Sequence, residues 1–321
     1  MKRLISIAVS TMILAIIYAR IDFSGLIAVL QNCDRLWMAI SLGMVVPLTL
    51  LTAWRLQQLM PAKSTLGFGE ANSLILAAST LNMVLPSKMG DIAKAYFMKQ
   101  RGHLDGSLSL SLVVFEKACD MLSLLLWCVF GLIFYPEKNW LFWLMTGGVA
   151  CGLVAGLLLL GSRRFAQVFF VLGNRFAPKK LKPKVKKLSA AWQEMHNYFW
   201  QDKVQLLKIT ITSIFIWFLH LLQIWFFILA LKAWTPLLAN LALSPLAILA
   251  GLLPLTFAGV GTRDAALIFF YQPYFDAATA AALGLLCTSR YLLPAVGGLP
   301  FLSKYLAVTR QSAKLTHPAS K

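Results

Sequence analysis

Long apolar runs recur along this chain, and they limit its fold more than any other feature. Segments 4–19, 36–53, 68–86, 107–134, 140–161, 206–231, 241–258 and 277–302 are apolar almost throughout. Most reach the ~18–20 residues a helix needs to cross a bilayer. Hydrophobic residues make up 59% of the 321 residues and charged ones 13%, with a mean hydropathy of +0.72. A soluble domain of this length keeps about twice that share of charge. The expected fold is an all-α polytopic membrane protein, a single integral membrane domain over residues 1–321.

The opening stretch MKRLISIAVSTMILAIIYAR has the basic start and apolar run of a secretory signal. It lacks a small-x-small cleavage site before Arg20, and further spans follow, so it reads as the first transmembrane helix. The formal net charge of +18 is concentrated, with Lys and Arg crowding residues 163–208 and the run KKLKPKVKK at 179–187. Between spans, such a run marks a cytoplasmic connection that faces anionic headgroups; no nucleic-acid partner is expected. The five cysteines and four histidines are scattered without metal-ligand or disulfide spacing, and neither metal nor cofactor is expected. His220, one turn from Gln223, reads as an interhelical hydrogen bonder.

Strict alternation of eight spans would place the Lys- and Arg-bearing KMGDIAKAYFMKQR on the outer side. The charge rule is better met by six full spans plus two broken re-entrant hairpins. One hairpin, 68–101, enters from the cytoplasm and breaks at LPSKMG; the other, 241–272, enters from outside and breaks at LPLTFAGVG. Both termini and most of the thirty Lys and Arg then face the cytoplasm. The first half covers 36–161, a basic connection 162–205, the second half 206–303 and a tail 304–321. The two breaks share an order: Leu-Pro, a polar or glycine turn, an acid, then an apolar helix. An inverted repeat would give this arrangement, and interrupted segments at matching places in two halves point to a transporter-type site.

Charge inside the membrane segments supports the same reading. Glu116 and Asp120 lie four apart on one helix face, with Lys117 turned away by about 100°. Glu116, Asp120, Arg263, Asp264 and Arg290, if all were left unpaired, would together cost more than ~12 kcal/mol at membrane depth. Arg263 and Arg290 are the candidate counter-charges; Asp91 and Lys94 flank the first break one turn apart. The helix starting near Arg263, preceded by Gly259 and Gly261, offers free N–H groups and a guanidinium to an anion. Lipid phosphate and an internal carboxylate such as Glu116 both fit that description. Pro254, Gly259 and Gly261 break the helix ahead of it. Gly147, Gly148, Gly152 and Gly156 would let the 140–161 helix pack closely, within or between chains.

Three motifs, Asn82-x-x-Leu85-Pro86-x-x-x-Gly90-Asp91, Glu116-Lys117-x-x-Asp120 and Gly259-x-Gly261-x-Arg263-Asp264, occur in this order. The chain thereby resembles the transmembrane flippase domain of lysylphosphatidylglycerol synthases, shared with a large group of standalone bacterial and archaeal membrane proteins. The family pattern has a Gly-Glu pair followed by Arg, then Glu-Arg-x-x-Asp and Gly-x-Gly-x-Arg-Glu. Asp91, Lys94, Lys117 and Asp264 keep the sign of those charges but shorten the acids and replace bidentate Arg with Lys. The resemblance implies a lipid translocase whose substrate is an anionic or phosphate-bearing membrane lipid. Arg263, Arg290, Lys94, Gly259 and Gly261 would bind the headgroup, and Glu116, Asp120, Asp91, Asp264 and Lys117 would form the charge network. The synthases' soluble aminoacyl-transferase domain is not expected here, nor is enzymatic activity. Two alternatives stay open: a non-transporting partner of a lipid synthase or glycosyltransferase, and an intramembrane enzyme modifying lipid headgroups.

Overall fold

A computed structural model describes residues 23–61, 66–84, 89–101, 104–135, 138–178, 182–253 and 261–302. The expected first span at 4–19, the residues 85–88 of the first break, Pro254, Gly259 and the tail 304–321 lie outside the described residues. The described residues form helices and no strand. In chain order these are α1 (Phe23–Gln31), α2 (Arg35–Gly43), α3 (Val45–Leu59), α4 (Phe68–Val84), α5 (Met89–Arg101), α6 (Gly106–Phe134) and α7 (Trp140–Gly161). They continue as α8 (Arg163–Phe176), α9 (Lys182–Gln201), α10 (Lys203–Ala230), α11 (Leu237–Gly251), α12 (Thr262–Tyr271), α13 (Ala277–Ser289) and α14 (Leu292–Gly297).

Five helical stretches are long and apolar enough to cross a membrane: Arg35–Leu59, Gly106–Phe134, Trp140–Gly161, Lys203–Ala230 and Ala277–Gly297. They coincide with the five full spans expected within the described residues. The protein is an all-α polytopic membrane protein. Where the two hairpins are expected, the described residues form pairs of shorter helices. In the first, α4 packs against α5 on either side of 85–88; in the second, α11 packs against α12 on either side of 254–260. The basic 162–205 connection is itself helical, α8 lying against α9.

Local sequence sets the helix ends. Asp34 caps α2 by accepting from the Leu36 and Trp37 amides at 2.9 and 3.1 Å. Asp276 does the same for α13 through the Thr279 amide at 2.7 Å. Beyond α10, Lys232 adopts the left-handed region at φ 55°, and the Ala233 amide returns to the Ile228 carbonyl at 3.1 Å. That is a Schellman-type stop at a position where glycine is usual.

The chain divides into two compact units, each discontinuous in sequence. The first comprises residues 1–48, 119–161 and 213–290; the second 49–118, 162–212 and 291–321. The first unit is built around Leu124, Cys128, Leu221, Phe227, Leu283 and their neighbours. Its α11 is buried along Asn240–Ile248, and the polar groups inside it are satisfied internally. The Asn240 amide donates to the Leu221 carbonyl at 2.8 Å, and the Tyr271 hydroxyl donates to Asn240 Oδ1 at 2.8 Å. Ser244 Oγ lies 2.8 Å from the same hydroxyl. Gln223 donates to the Ser41 carbonyl at 2.8 Å. Within α7, Gly152 and Gly156 lie against Leu125 and Leu122 of α6, whereas Gly147 and Gly148 face open space.

In the second unit, Leu74, Ala77, Met98 and Leu112 are buried, and Phe115 stacks on Phe199 at 4.0 Å between ring centres. The Thr80 hydroxyl donates to the Ala295 carbonyl at 2.6 Å and ties α4 to α14.

Candidate functional site

The second unit buries a charge cluster where α3, α5 and α6 meet. Glu116 stands eleven residues into α6, about 15 Å from that helix's start at ~1.5 Å per residue. Its carboxylate accepts from Arg55 Nη2 of α3 at 3.1 Å and, through the other oxygen, from Lys94 Nζ of α5. All three side chains are about 2% exposed. Beside them, Lys117 Nζ lies 3.4 Å from Asp91 Oδ2, and Lys117 is the member of that pair that reaches outward. Asp91 falls in the first turn of α5, where the helix dipole favours an acid, and Asn82 of α4 approaches it at 3.5 Å. Two groupings thus stand side by side: Arg55 and Lys94 on Glu116, and Lys117 with Asp91.

The first unit holds a different arrangement around the second break. Gly261 sits at φ 100°, a conformation that L side chains rarely adopt, and is the N-cap of α12. Asp264, at the third helical position, accepts from the Gly261 amide at 3.0 Å through Oδ2. Through Oδ1 it accepts from Arg263 Nε at 3.0 Å and Nη2 at 2.6 Å. Arg263 Nη2 also donates to the Gly284 carbonyl at 2.8 Å and the Thr288 hydroxyl at 2.7 Å. Gly284 is required here because a Cβ would stand 2.7 Å from Asp264 Oδ1. The adjacent arginine and aspartate therefore neutralise each other, cap α12 and fasten it to α13. Arg290, buried at the C-terminal end of α13, points Nη1 toward the His220 carbonyl at 3.5 Å.

Several expected site residues are thus brought together. Lys94 and Glu116 bond directly, and Asp91 pairs with Lys117. The expectation that Arg263 or Arg290 answers Glu116 is not what the geometry shows: Glu116 turns to Arg55 and Lys94, and Arg263 turns to Asp264. Asp120 is half-buried and belongs to the first unit. Gly259 lies outside the described residues. Arg55 was missed because the apolar run of its span ends at 53, which makes a charge at 55 look like an interfacial flank. The signal was present: helix propensity continues unbroken through TAWRLQQL to Leu59, which keeps Arg55 inside the helix.

Comparison with known proteins agrees with this architecture. Residues 3–298 match the family described as the lysylphosphatidylglycerol synthase TM region. The chain belongs to that family, whose membrane domain is associated with lipid synthesis or flipping. It is also similar to the UPF0104 membrane protein MJ1078 of Methanocaldococcus jannaschii, at 24% identity over 193 residues. That alignment covers 60% of this chain and 79% of the relative.

Proposed function

We propose that the protein is a lipid translocase of the cytoplasmic membrane that carries a phosphate-bearing or otherwise anionic headgroup past the buried cations Arg55 and Lys94. The observation that carries this reading is the burial of Arg55 and Lys94 together on the Glu116 carboxylate, at about 2% exposure, beside the α4–α5 pair. Each buried cation costs on the order of 2.5–3.5 kcal/mol at membrane depth unless an anion answers it. A headgroup phosphate would take the place of the Glu116 carboxylate on these two cations in passing. Lys94 is suited to a transient contact, because its ammonium is a point charge on a flexible stem. Arg55 and Glu116 would hold it in place between substrates, and the Asp91–Lys117 pair would stand at the outward edge of the path. Acyl chains would remain in the surrounding lipid.

Hairpin lengths support the same reading. At about 1.5 Å per residue, α4, α5, α11 and α12 extend roughly 25, 20, 22 and 15 Å, all short of a ~30 Å hydrocarbon core. Arms too short to span would enter and return to the same side, the first hairpin from the cytoplasm and the second from outside. Within the first unit, Arg290 and the α12 N-terminus, framed by Gly261 and fastened by Arg263–Asp264, would offer a separate anion contact. Both termini would be cytoplasmic.

The test is reconstitution of the purified chain in liposomes that carry headgroup-labelled lipids, read by accessibility of the label to an impermeant quencher. Movement of an anionic class that falls at least tenfold in a folded Lys94→Gln variant is the expected result. Absence of movement for every lipid class, with the fold intact, overturns the proposal. Movement that appears only with a co-purified lipid synthase or glycosyltransferase would instead make the chain a partner subunit.

A further inference from the structure

The hairpin of α8 and α9 has two features that the translocase reading does not use. The first is the distribution of residues around α8. Phe165, Val168, Phe169, Leu172 and Phe176 recur at the spacing of one helical stripe, about 100° wide. Ala166 and Phe170 lie on the opposite side, where Ala166 is buried and Phe170 approaches Trp192 of α9 at 6.1 Å. The apolar stripe therefore faces away from the partner helix. It is open, with Leu172 53% and Phe176 78% exposed. Arg163, Arg164 and Arg175 bracket it, and one residue, Ser162, separates α8 from the membrane-spanning α7. An amphipathic helix with basic flanks, tethered this closely to a span, is suited to lie in the plane of the headgroups.

The second feature is a cavity of about 140 Å³ between α8 and α9, lined by Arg163, Gln167, Phe170, Trp192, His196 and Asn197 among others. Arg163 Nε donates to His196 Nδ1 at 3.1 Å. A guanidinium has no acceptor, so Nδ1 must be the unprotonated nitrogen, and the imidazole proton sits on Nε2. Trp192 is 7% exposed, and its indole N–H finds no acceptor among the described residues. The cavity thus offers a guanidinium, an indole N–H and side-chain amides, which suits an acceptor-rich anion.

We infer that the α8–α9 hairpin is a second lipid site, seated on the membrane surface by the α8 stripe and binding the phosphate of an anionic phospholipid headgroup through Arg163 and Trp192. Charge complementarity and the tether to α7 select a bilayer as the occupant. The site does not depend on transport, and its test reads binding alone.

Hydrogen exchange of the full chain in lipid nanodiscs provides that test, in three arms: phosphatidylcholine alone, phosphatidylcholine with phosphatidylglycerol, and phosphatidylcholine with inorganic phosphate. Exchange in 163–176 and 186–200 is expected to slow at least tenfold with phosphatidylglycerol and to stay unchanged with phosphate. Arg163→Gln should abolish the difference, and Trp192→Phe, which keeps an aromatic ring but removes the donor, should reduce it. Equal rates with and without phosphatidylglycerol overturn the site. Slowing by inorganic phosphate alone makes it a free-anion site and overturns the lipid assignment. Slowing that persists in both variants assigns the effect to leaflet charge and likewise overturns it. Unaltered exchange in α6 and α10 shows that each variant retains its fold.

Discussion

Glu116 shows how far one side chain can decide both stability and chemistry. It answers Arg55 and Lys94 together, so Glu116→Ala takes a shared carboxylate from two buried cations. A loss of about 3–5 kcal/mol is expected, read as a lowered unfolding midpoint in detergent. Replacing the whole triad, as Arg55→Met, Lys94→Met and Glu116→Leu together, should recover most of that loss. Apolar side chains of similar volume need no partner, and buried ion triads seldom stabilise more than they cost. The triple variant should be folded yet inactive in the liposome assay, which separates the cluster's function from its contribution to the fold. A triple variant that still moves lipid would remove the cluster from the path. Arg263 behaves differently, because its donors go to Asp264, the Gly284 carbonyl and Thr288. Arg263→Lys cannot reproduce that fork, so a fall in stability of about 1–3 kcal/mol is expected.

At the scale of elements, α11, α12 and α13 are held together by a small polar set and one close approach. Gly284→Leu would force a side chain into Asp264 and part α12 from α13. Its unfolding midpoint should fall further than that of Gly147→Leu, which faces open space. Tyr271→Phe removes one donor to Asn240, while Ser244 still reaches the same oxygen at 3.0 Å. The cost should therefore be modest, about 1 kcal/mol in the same measurement. The length of an apolar run marks such elements in a sequence, as it does α6, α7 and α10. It fails for α8, whose basic composition reads as a connection although its apolar residues follow a helical stripe. There, charge content masked the period.

At the scale of the whole molecule, the topology is open to direct test. If both hairpins return to the side they enter, their flanks are paired. Gly67→Cys and Lys99→Cys, on either side of the first, should react with an impermeant thiol reagent from the same face of the membrane. Trp234→Cys and Tyr274→Cys, flanking the second, should both react from the opposite face. Labelling of Gly67→Cys and Lys99→Cys from opposite faces would make the first hairpin a full crossing.

The sequence by itself determined the class of protein and the five described spans. These follow from a local quantity: a stretch of ~20 apolar residues has few alternatives to a membrane helix. It also marked Glu116, Asp120, Arg263, Asp264 and Arg290 as charges that must find partners. Which partner each one finds was decided only by the tertiary structure. Arg55 and Glu116 are 61 residues apart in the chain, and no local period links them. Their meeting depends on how α3, α5 and α6 pack. The sequence offered the Arg263 guanidinium to an anion, and in the fold Arg263 and Asp264 form a buried cap and clasp. A charge in a membrane segment announces that it needs an answer, but the answer comes from whichever helix the packing brings against it.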